Sequence, residues 1–139
     1  MSRLLGLLCP AVATILVAGG APVLLGSFDL AWGQAAAERL GADGWRAGTV
    51  VTAADVIAVG LMHRLQSLGH RVPEDFRVIG FDGVGVATRL AHPALTTVRQ
   101  PAERIAQAVR LLGEEGTVAR APVVRRLRPT LTVGRSSPA

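Results

Sequence analysis

Short apolar runs alternate with helical stretches along this chain, and this alternation restricts the fold more than any other feature. The runs Val23–Leu25, Thr49–Thr52 and Phe76–Phe81 are apolar or β-branched, which is typical of buried strands. Residues of helical character follow the first two runs, at Leu30–Leu40 and from Asp55 to about Leu68. This order predicts an α/β fold in which a parallel sheet carries helices on both faces.

The remainder of the chain continues the pattern less regularly. Thr96–Val98 is predicted to be a strand, and Pro101 suits the first turn of a helix, where no N–H is needed. Apolar residues recur there at helical spacing and predict a face that packs on a core. They are Ile105, Ala108, Val109 and Leu112. Val123–Val133 contains extended pieces, and the tail Ser136–Ala139 is predicted to fray.

The residues that follow the predicted strands are the first candidates for a site, because ligands of parallel sheets bind beyond the carboxyl ends of the strands. These residues are Phe28, Asp55 and Asp82. Asp55 can accept charge-assisted hydrogen bonds from the hydroxyl groups of a sugar, or it can cap the helix that it begins. Phe28 suits stacking on a sugar or base and equally suits a core position. Asp82, followed by Gly83, is predicted to serve a turn first and a ligand second.

The first 22 residues form an apolar segment with two interpretations. Arg3, an uncharged run to Ala21 and a small-residue stretch resemble the regions of a signal peptide. A buried helix followed by a turn explains the same residues. A membrane-spanning helix is disfavoured, because the run is short and is interrupted by Pro10 and by paired glycines.

Composition argues against several function classes. The net charge is +5, yet the arginines are scattered apart from a short cluster at residues 125–128, so a nucleic-acid surface is not indicated. Cys9 is the single cysteine, which excludes a disulfide framework. The three histidines, His63, His70 and His92, have no metal-ligand spacing, and no catalytic triad pattern occurs. The sequence therefore predicts no metal, no cofactor and no enzyme activity.

Three segments resemble the sensor domain of LacI/GalR-type transcription regulators. Val51–Gly60 (VTAADVIAVG) is similar to the strand-to-helix segment that usually contains Ala-Asn-Asp, although Ala54 replaces the asparagine. Val72–Asp82 (VPEDFRVIGFD) resembles the turn and strand that end in Gly-Phe-Asp. Leu95–Pro101 (LTTVRQP) is similar to the crossover between two lobes. Order and spacing agree, and the resemblance covers about residues 23–137.

The resemblance implies a periplasmic-binding-protein-like (type I) fold, of which residues 23–139 form mostly one lobe and residues 101–120 belong to the other. In this family two lobes close on a small effector, commonly a sugar or purine. The chain is then expected to be an effector-sensing fragment in transcription regulation. Its expected ligand-binding residues are Asp55, Phe28, Asp82 and Gln100, the last on the crossover. Residues 1–22 become either an altered lobe helix or a signal-like segment.

The resemblance also implies partners and a location. The fragment is expected to be cytoplasmic, without direct contact to DNA or membrane, because the DNA-binding head is not among the matching residues. A homodimer is expected through the helix at Val56–Leu68, whose apolar stripe can equally be core; the stripe is Ile57, Leu61, Met62, Leu65 and Leu68. Two other hypotheses remain open: a secreted sugar-binding protein of the same fold, and a gene remnant that binds nothing.

Overall fold

The computed structural model describes residues 13–17, 23–114 and 126–138, the first group by its backbone. These residues form one six-stranded sheet and four helices. In chain order the elements are β1 (Ala13–Val17), β2 (Val23–Gly26), α1 (Leu30–Ala42), β3 (Gly48–Thr52), α2 (Asp55–Ser67), β4 (Phe76–Asp82), α3 (Gly85–Leu90), β5 (Thr96–Arg99), α4 (Ala102–Glu114) and β6 (Thr130–Thr132). The remaining residues of the apolar segment 1–22 lie outside the described part.

The sheet has the order β2-β1-β3-β4-β5-β6 and is mostly parallel. Strands β3, β4 and β5 pair in parallel. Strand β1 is antiparallel to both β2 and β3, so β2 runs in the same direction as β3. Strand β6 is antiparallel to β5. Four strands thus share one direction, and the predicted α/β class is confirmed, with two antiparallel strands added to it. The short connection between β1 and β2 explains the first of these, because parallel neighbours need a long crossover.

Helices α1 and α2 pack against one face of the sheet and share its core. One buried cluster contains Ala36 and Leu40 of α1, Ile57 and Leu61 of α2, and Val78 of β4. The path of the chain explains why these helices share a face. It moves from β2 to β3, β4 and β5 in one direction across the sheet, and right-handed crossovers then place successive helices on the same side.

Two glycines allow α1 and α2 to approach closely. A Cβ atom added at Gly33 would overlap the carbonyl oxygen of Ile57, and one added at Gly60 would overlap the carbonyl oxygen of Leu30. Each helix therefore presents a glycine to the backbone of the other. The helix pair depends on these two positions, and neither was singled out by the sequence pattern.

The opposite face of the sheet is open in the described part of the chain. Along β2, Leu24 is buried beneath the helix layer, whereas Leu25 on the other face is 49% exposed. Phe81 of β4 also lies exposed on that face. Helices were predicted on both faces, and among the described residues α1 and α2 cover one of them. No helix among the described residues is long and apolar enough to cross a membrane.

The apolar stripe of α2 is core. Four of the five residues predicted as a possible pairing surface are buried, and Leu68 alone among them is exposed. The buried ones are Ile57, Leu61, Met62 and Leu65. A homodimer contact, if it uses α2, must therefore use other residues of this helix.

Helix α4 packs differently from its prediction. Ile105 and Val109 were expected to face a core, and both are exposed, Val109 to 63%. The side chains of Ala108 and Leu112 lie outside the described part. The described part of the chain therefore holds no core against the Ile105 and Val109 side of this helix.

The chain near Ser136 is built into the sheet. Ser136 is fully buried, and its carbonyl oxygen accepts from the N–H of Val78 at 2.9 Å. Its hydroxyl donates to the carbonyl of Val78 at 2.6 Å and accepts from the N–H of Thr96 at 2.8 Å. The predicted fraying is wrong at this residue, because Ser136 fills the gap between the starts of β4 and β5.

Candidate ligand-binding edge

The four strands that share a direction end at one edge of the sheet. Phe28 follows β2, Asp55 follows β3, Asp82 ends β4 and Gln100 follows β5. Because β2 to β5 run the same way, the sequence-predicted candidates belong to the carboxyl edge, where ligands of such sheets bind.

Asp55 is the first residue of α2 and lies inside the protein. Its side chain is fully buried, and both carboxylate oxygens accept hydrogen bonds from the chain. The hydroxyl of Thr97 donates to Oδ1 at 2.5 Å, and the N–H of Val84 donates to Oδ2 at 2.7 Å. The predicted helix cap is wrong, because the N-cap is Ala54 and no side chain caps this end. Direct contact between Asp55 and a ligand would require the residues that bury its side chain to move.

Gly80 makes the space that this carboxylate occupies. It lies on β4, on the face that α2 covers, and a Cβ atom at this position would overlap Oδ1 of Asp55. Any larger residue at position 80 would therefore push the Asp55 carboxylate out of place. The sequence motif Gly-Phe-Asp contains this glycine, but the pattern alone does not reveal what it faces.

Asp82 and Gln100 form a polar pair that is partly open to solvent. The side-chain amide of Gln100 donates to Oδ1 of Asp82 at 2.7 Å, and its main-chain N–H donates to the Asp82 carbonyl at 3.3 Å. Asp82 has a φ of 107°, in the region that favours glycine, and Gly83 follows with a φ of 75°. Such strain costs about 1–3 kcal/mol per residue and is concentrated at functional sites.

The electrostatic environment of Asp82 also distinguishes it. Burial raises the pKa of the Asp82 carboxyl above its ordinary value, and the nearby charge of Asp55 raises this pKa further. The hydrogen bond from Gln100 acts in the opposite direction. A strained acid with a shifted pKa at a strand end is a candidate for function. Among the sequence-predicted acids, Asp82 therefore has the stronger structural case for ligand contact.

Phe28 presents an open aromatic ring at the same edge. It is 47% exposed, so the alternative of a core phenylalanine is wrong. The next residue, Asp29, caps α1 by accepting the N–H of Trp32 at 2.7 Å, and this hydrogen bond lowers the pKa of the Asp29 carboxyl. This cap was not predicted, although an aspartate directly before a helical stretch is its usual signal.

The structure thus joins Asp55, Asp82 and Gln100 through neighbouring strand ends, and it shows no hydrogen bond between Phe28 and these three among the described residues. Thr97 and Val84 were missed by the sequence analysis. Threonine in a β-branched strand carries no distinguishing signal, and Val84 contributes only its main-chain N–H.

Comparison with known families agrees with this architecture. The model of the periplasmic binding protein-like domain matches residues 23–137. The HTH-type transcriptional repressor PurR of Vibrio vulnificus is 40% identical over 83 residues, which are 60% of this chain and 25% of that repressor. The matched segment thus spans about a quarter of the repressor's length.

Solved structures of regulators superpose on most of the chain. A LacI-type transcription regulator from Bifidobacterium animalis subsp. lactis has a TM-score of 0.74 and 33% identity, covering 82% of this chain and 41% of that one. The transcriptional regulator CelR in complex with cellobiose has a TM-score of 0.71 and 32% identity, covering 81% and 35%. The chain therefore belongs to the periplasmic binding protein-like domain family, in the form found in the ligand-binding domain of LacI/GalR-type regulators.

Proposed function

We propose that this chain senses a small, uncharged polar effector for a LacI-type transcription regulator, and that the ligand binds at the carboxyl edge of the sheet. The observation that carries the proposal is the Asp82–Gln100 pair, in which a strained, partly open carboxylate lies beside an amide. Together they offer acceptors and donors to a molecule with several hydroxyl groups. A complete cleft would add a second lobe, which buries more of the ligand.

Charge at the edge favours an uncharged ligand. Asp55 and Asp82 both carry carboxyl groups there, and the ion pairs among the described residues involve other acids. An anionic effector such as a sugar phosphate would therefore meet two acids, neither of which is ion-paired with an arginine among the described residues. Sugars and purine bases avoid this cost. The related regulator CelR has been solved in complex with cellobiose.

The open ring of Phe28 supplies an apolar surface of the kind that stacks on a sugar face or a base. In this proposal Phe28 contributes contact area, whereas Asp82 and Gln100 orient the ligand. Asp55 lies behind them, and its predicted direct contact with the ligand stays a prediction, because its side chain is fully buried.

Titration calorimetry on the full chain tests this proposal. The probes are cellobiose, lactose and guanine, with glucose 6-phosphate as the anionic comparison. We expect one uncharged probe to bind, and the Asp82→Asn variant to weaken its binding about ten- to a hundredfold, as the loss of a charged hydrogen bond does. The Phe28→Ala variant should weaken it less.

The matched control is Asp43→Asn, which removes an exposed acid at the C-terminal end of α1, the end opposite to Phe28. It should leave binding unchanged. Equal binding by Asp82→Asn and the unaltered chain would contradict the assignment of this edge. Absence of binding by every probe would favour the gene-remnant hypothesis.

We propose the homodimer and the cytoplasmic location on the family alone. The residues of α2 that remain open for a dimer contact include Val56 and His63, and Leu68 lies open directly after the helix. The other four residues of the predicted stripe are buried in the core. Sedimentation velocity over a range of protein concentrations would measure whether the chain pairs.

A further inference from the structure

Asp55 lies behind the ligand edge, where it contacts two elements that the edge depends on. Its Oδ2 atom accepts from the N–H of Val84, in the loop that follows Asp82. Its Oδ1 atom accepts from the hydroxyl of Thr97, on the strand that leads to Gln100. We infer that Asp55 is a positioning residue, which holds the Asp82–Val84 loop in its strained conformation and so presents the Asp82 carboxylate to the effector.

Two tethers hold this loop, one at each end. Gln100 holds Asp82 through the side-chain and main-chain bonds described above, and Asp55 holds Val84 two residues later. Asp82 and Gly83, between the tethers, both have positive φ. A non-glycine residue stays in that region only where its surroundings compensate for the strain. Loss of the Val84 tether should therefore let Asp82 relax toward negative φ and change the direction of its carboxylate.

The tether depends on the two acceptor oxygens of Asp55. One accepts an O–H from Thr97 and the other an N–H from Val84. An amide at position 55 could keep both contacts, because the Thr97 hydroxyl can accept as well as donate, whereas alanine removes both acceptors. Buried polar groups are costly without partners, and here both oxygens have one. Gly80 supports the tether by leaving room for Oδ1.

The inference rests on the proposed function only in its last step, from Asp82 to the effector. The first step concerns the protein alone and is measurable without a ligand. The charged groups next to the loop include Asp55 from α2 and Arg99 from β5, which lies opposite Asp82 in the strand register. Arg89 from α3 donates to the carbonyl of Gly85, directly after the loop. Arg99 also borders Gly83, where an added Cβ atom would lie 2.7 Å from the Arg99 Cβ.

Nuclear magnetic resonance on the full chain provides the ligand-free test. The measurements are amide hydrogen exchange at Val84, with Val78 as the reference, and the carboxyl pKa of Asp82 from a pH titration. In Asp55→Ala, which removes both acceptor oxygens, we expect exchange at Val84 to rise about tenfold or more relative to Val78. The pKa of Asp82 should fall as the neighbouring charge is lost. A purely structural role would speed both amides alike, so the ratio of the two exchange rates decides between the roles.

Variants at position 97 keep the test decisive if Asp55→Ala does not fold. Thr97→Val removes one donor and should raise Val84 exchange relative to Val78, whereas Thr97→Ser keeps the hydroxyl and should restore the original rate. Asp43→Asn again serves as the distant control. Folded Asp55→Ala or Thr97→Val protein with unchanged Val84 exchange relative to Val78 would overturn the inference.

The last step uses the uncharged probe that binds the unaltered chain. Asp55→Ala should weaken its binding, and adding Asp82→Asn should weaken it little further, because both changes act through one carboxylate. Full additivity of the two losses would show that Asp55 acts independently of Asp82. If no probe binds, the proposed function fails, while the exchange measurements still decide the role of Asp55 in the loop.

Discussion

Helices α2 and α4 each have 13 residues, yet they differ in how much of their surface is buried. Helix α2 is buried on most of its surface and packs on both α1 and the sheet. Helix α4 has exposed side chains wherever they are described, although its apolar residues lie on one side. An apolar stripe thus indicates that a helix has a packing partner, but it does not say that the partner lies in the same segment of chain.

The contrast bears on the expectation that residues 101–120 belong to a second lobe. Helix α4 directly follows the crossover strand β5, and its residues Ile105 and Val109 are exposed. A helix whose packing partner lies in another lobe would have such a stripe. The assignment to a second lobe remains a prediction, which measurements on the two helices can sharpen.

The largest expected effect compares one leucine of α2 with one valine of α4. Leu61→Ala should lower the free energy of unfolding by about 2–5 kcal/mol, because it leaves a cavity in the core. Val109→Ala should change it by less than about 0.5 kcal/mol, since the side chain is already exposed. Urea denaturation measures both. Equal losses would mean that α4 packs on a core of its own.

An intermediate effect is expected from the close approach of α1 and α2. Gly60→Ala places a Cβ atom against the carbonyl oxygen of Leu30 and should destabilise the chain by about 1–3 kcal/mol. The control is Gly41→Ala in α1, where nothing lies within 4 Å of an added Cβ atom. This control should stabilise the helix by up to about 1 kcal/mol. Thermal denaturation of the two variants should therefore shift in opposite directions.

The smallest effect is expected in the turn that connects α2 to β4. The guanidinium of Arg71 donates to Asp75 at 2.6 Å, and this bond lowers the pKa of the Asp75 carboxyl to about 2. A lowered pKa in the folded chain stabilises it above the ordinary value of 3.8, and this contribution is lost as the pH falls toward 2.

A carboxyl titration by nuclear magnetic resonance checks the value. Arg71→Gln should return the pKa of Asp75 toward 3.8, and the variant should lose less stability than the unaltered chain between pH 4 and 2. A pKa that stays near 2 in this variant would assign the shift to other groups. Because the pair is exposed, its effect on stability at neutral pH should be small.

Local signals in the sequence predicted most elements well. Helix α1 was predicted at Leu30–Leu40 and lies at Leu30–Ala42, and Gly69 ends α2 with a φ of 88°, as a glycine after a helix does. Strand β1 and helix α3 were missed. The first fits the sheet only through pairing with β2 and β3, and the second has six residues, too few for a periodic signal.

The sequence predicted which residues lie at the candidate site, but not the hydrogen bonds that they make. Asp55, Asp82 and Gln100 were identified because they follow strands, and that rule needs no distant contact. The burial of Asp55 depends on partners 29 and 42 residues away, Val84 and Thr97. Such a contact exists only after the strands align, so the sequence could not distinguish an acid facing a ligand from one facing the protein.

The bonds of Ser136 have a consequence for the order of events during synthesis. Val78 leaves the ribosome 58 residues before the serine that completes its pairing. Until then, the first half of β4 is paired with β3 on one side, and its main-chain groups on the other side are unpaired. Helices α1 and α2 can assemble while translation continues, but the sheet reaches its final form only after the last strand and the serine behind it have emerged.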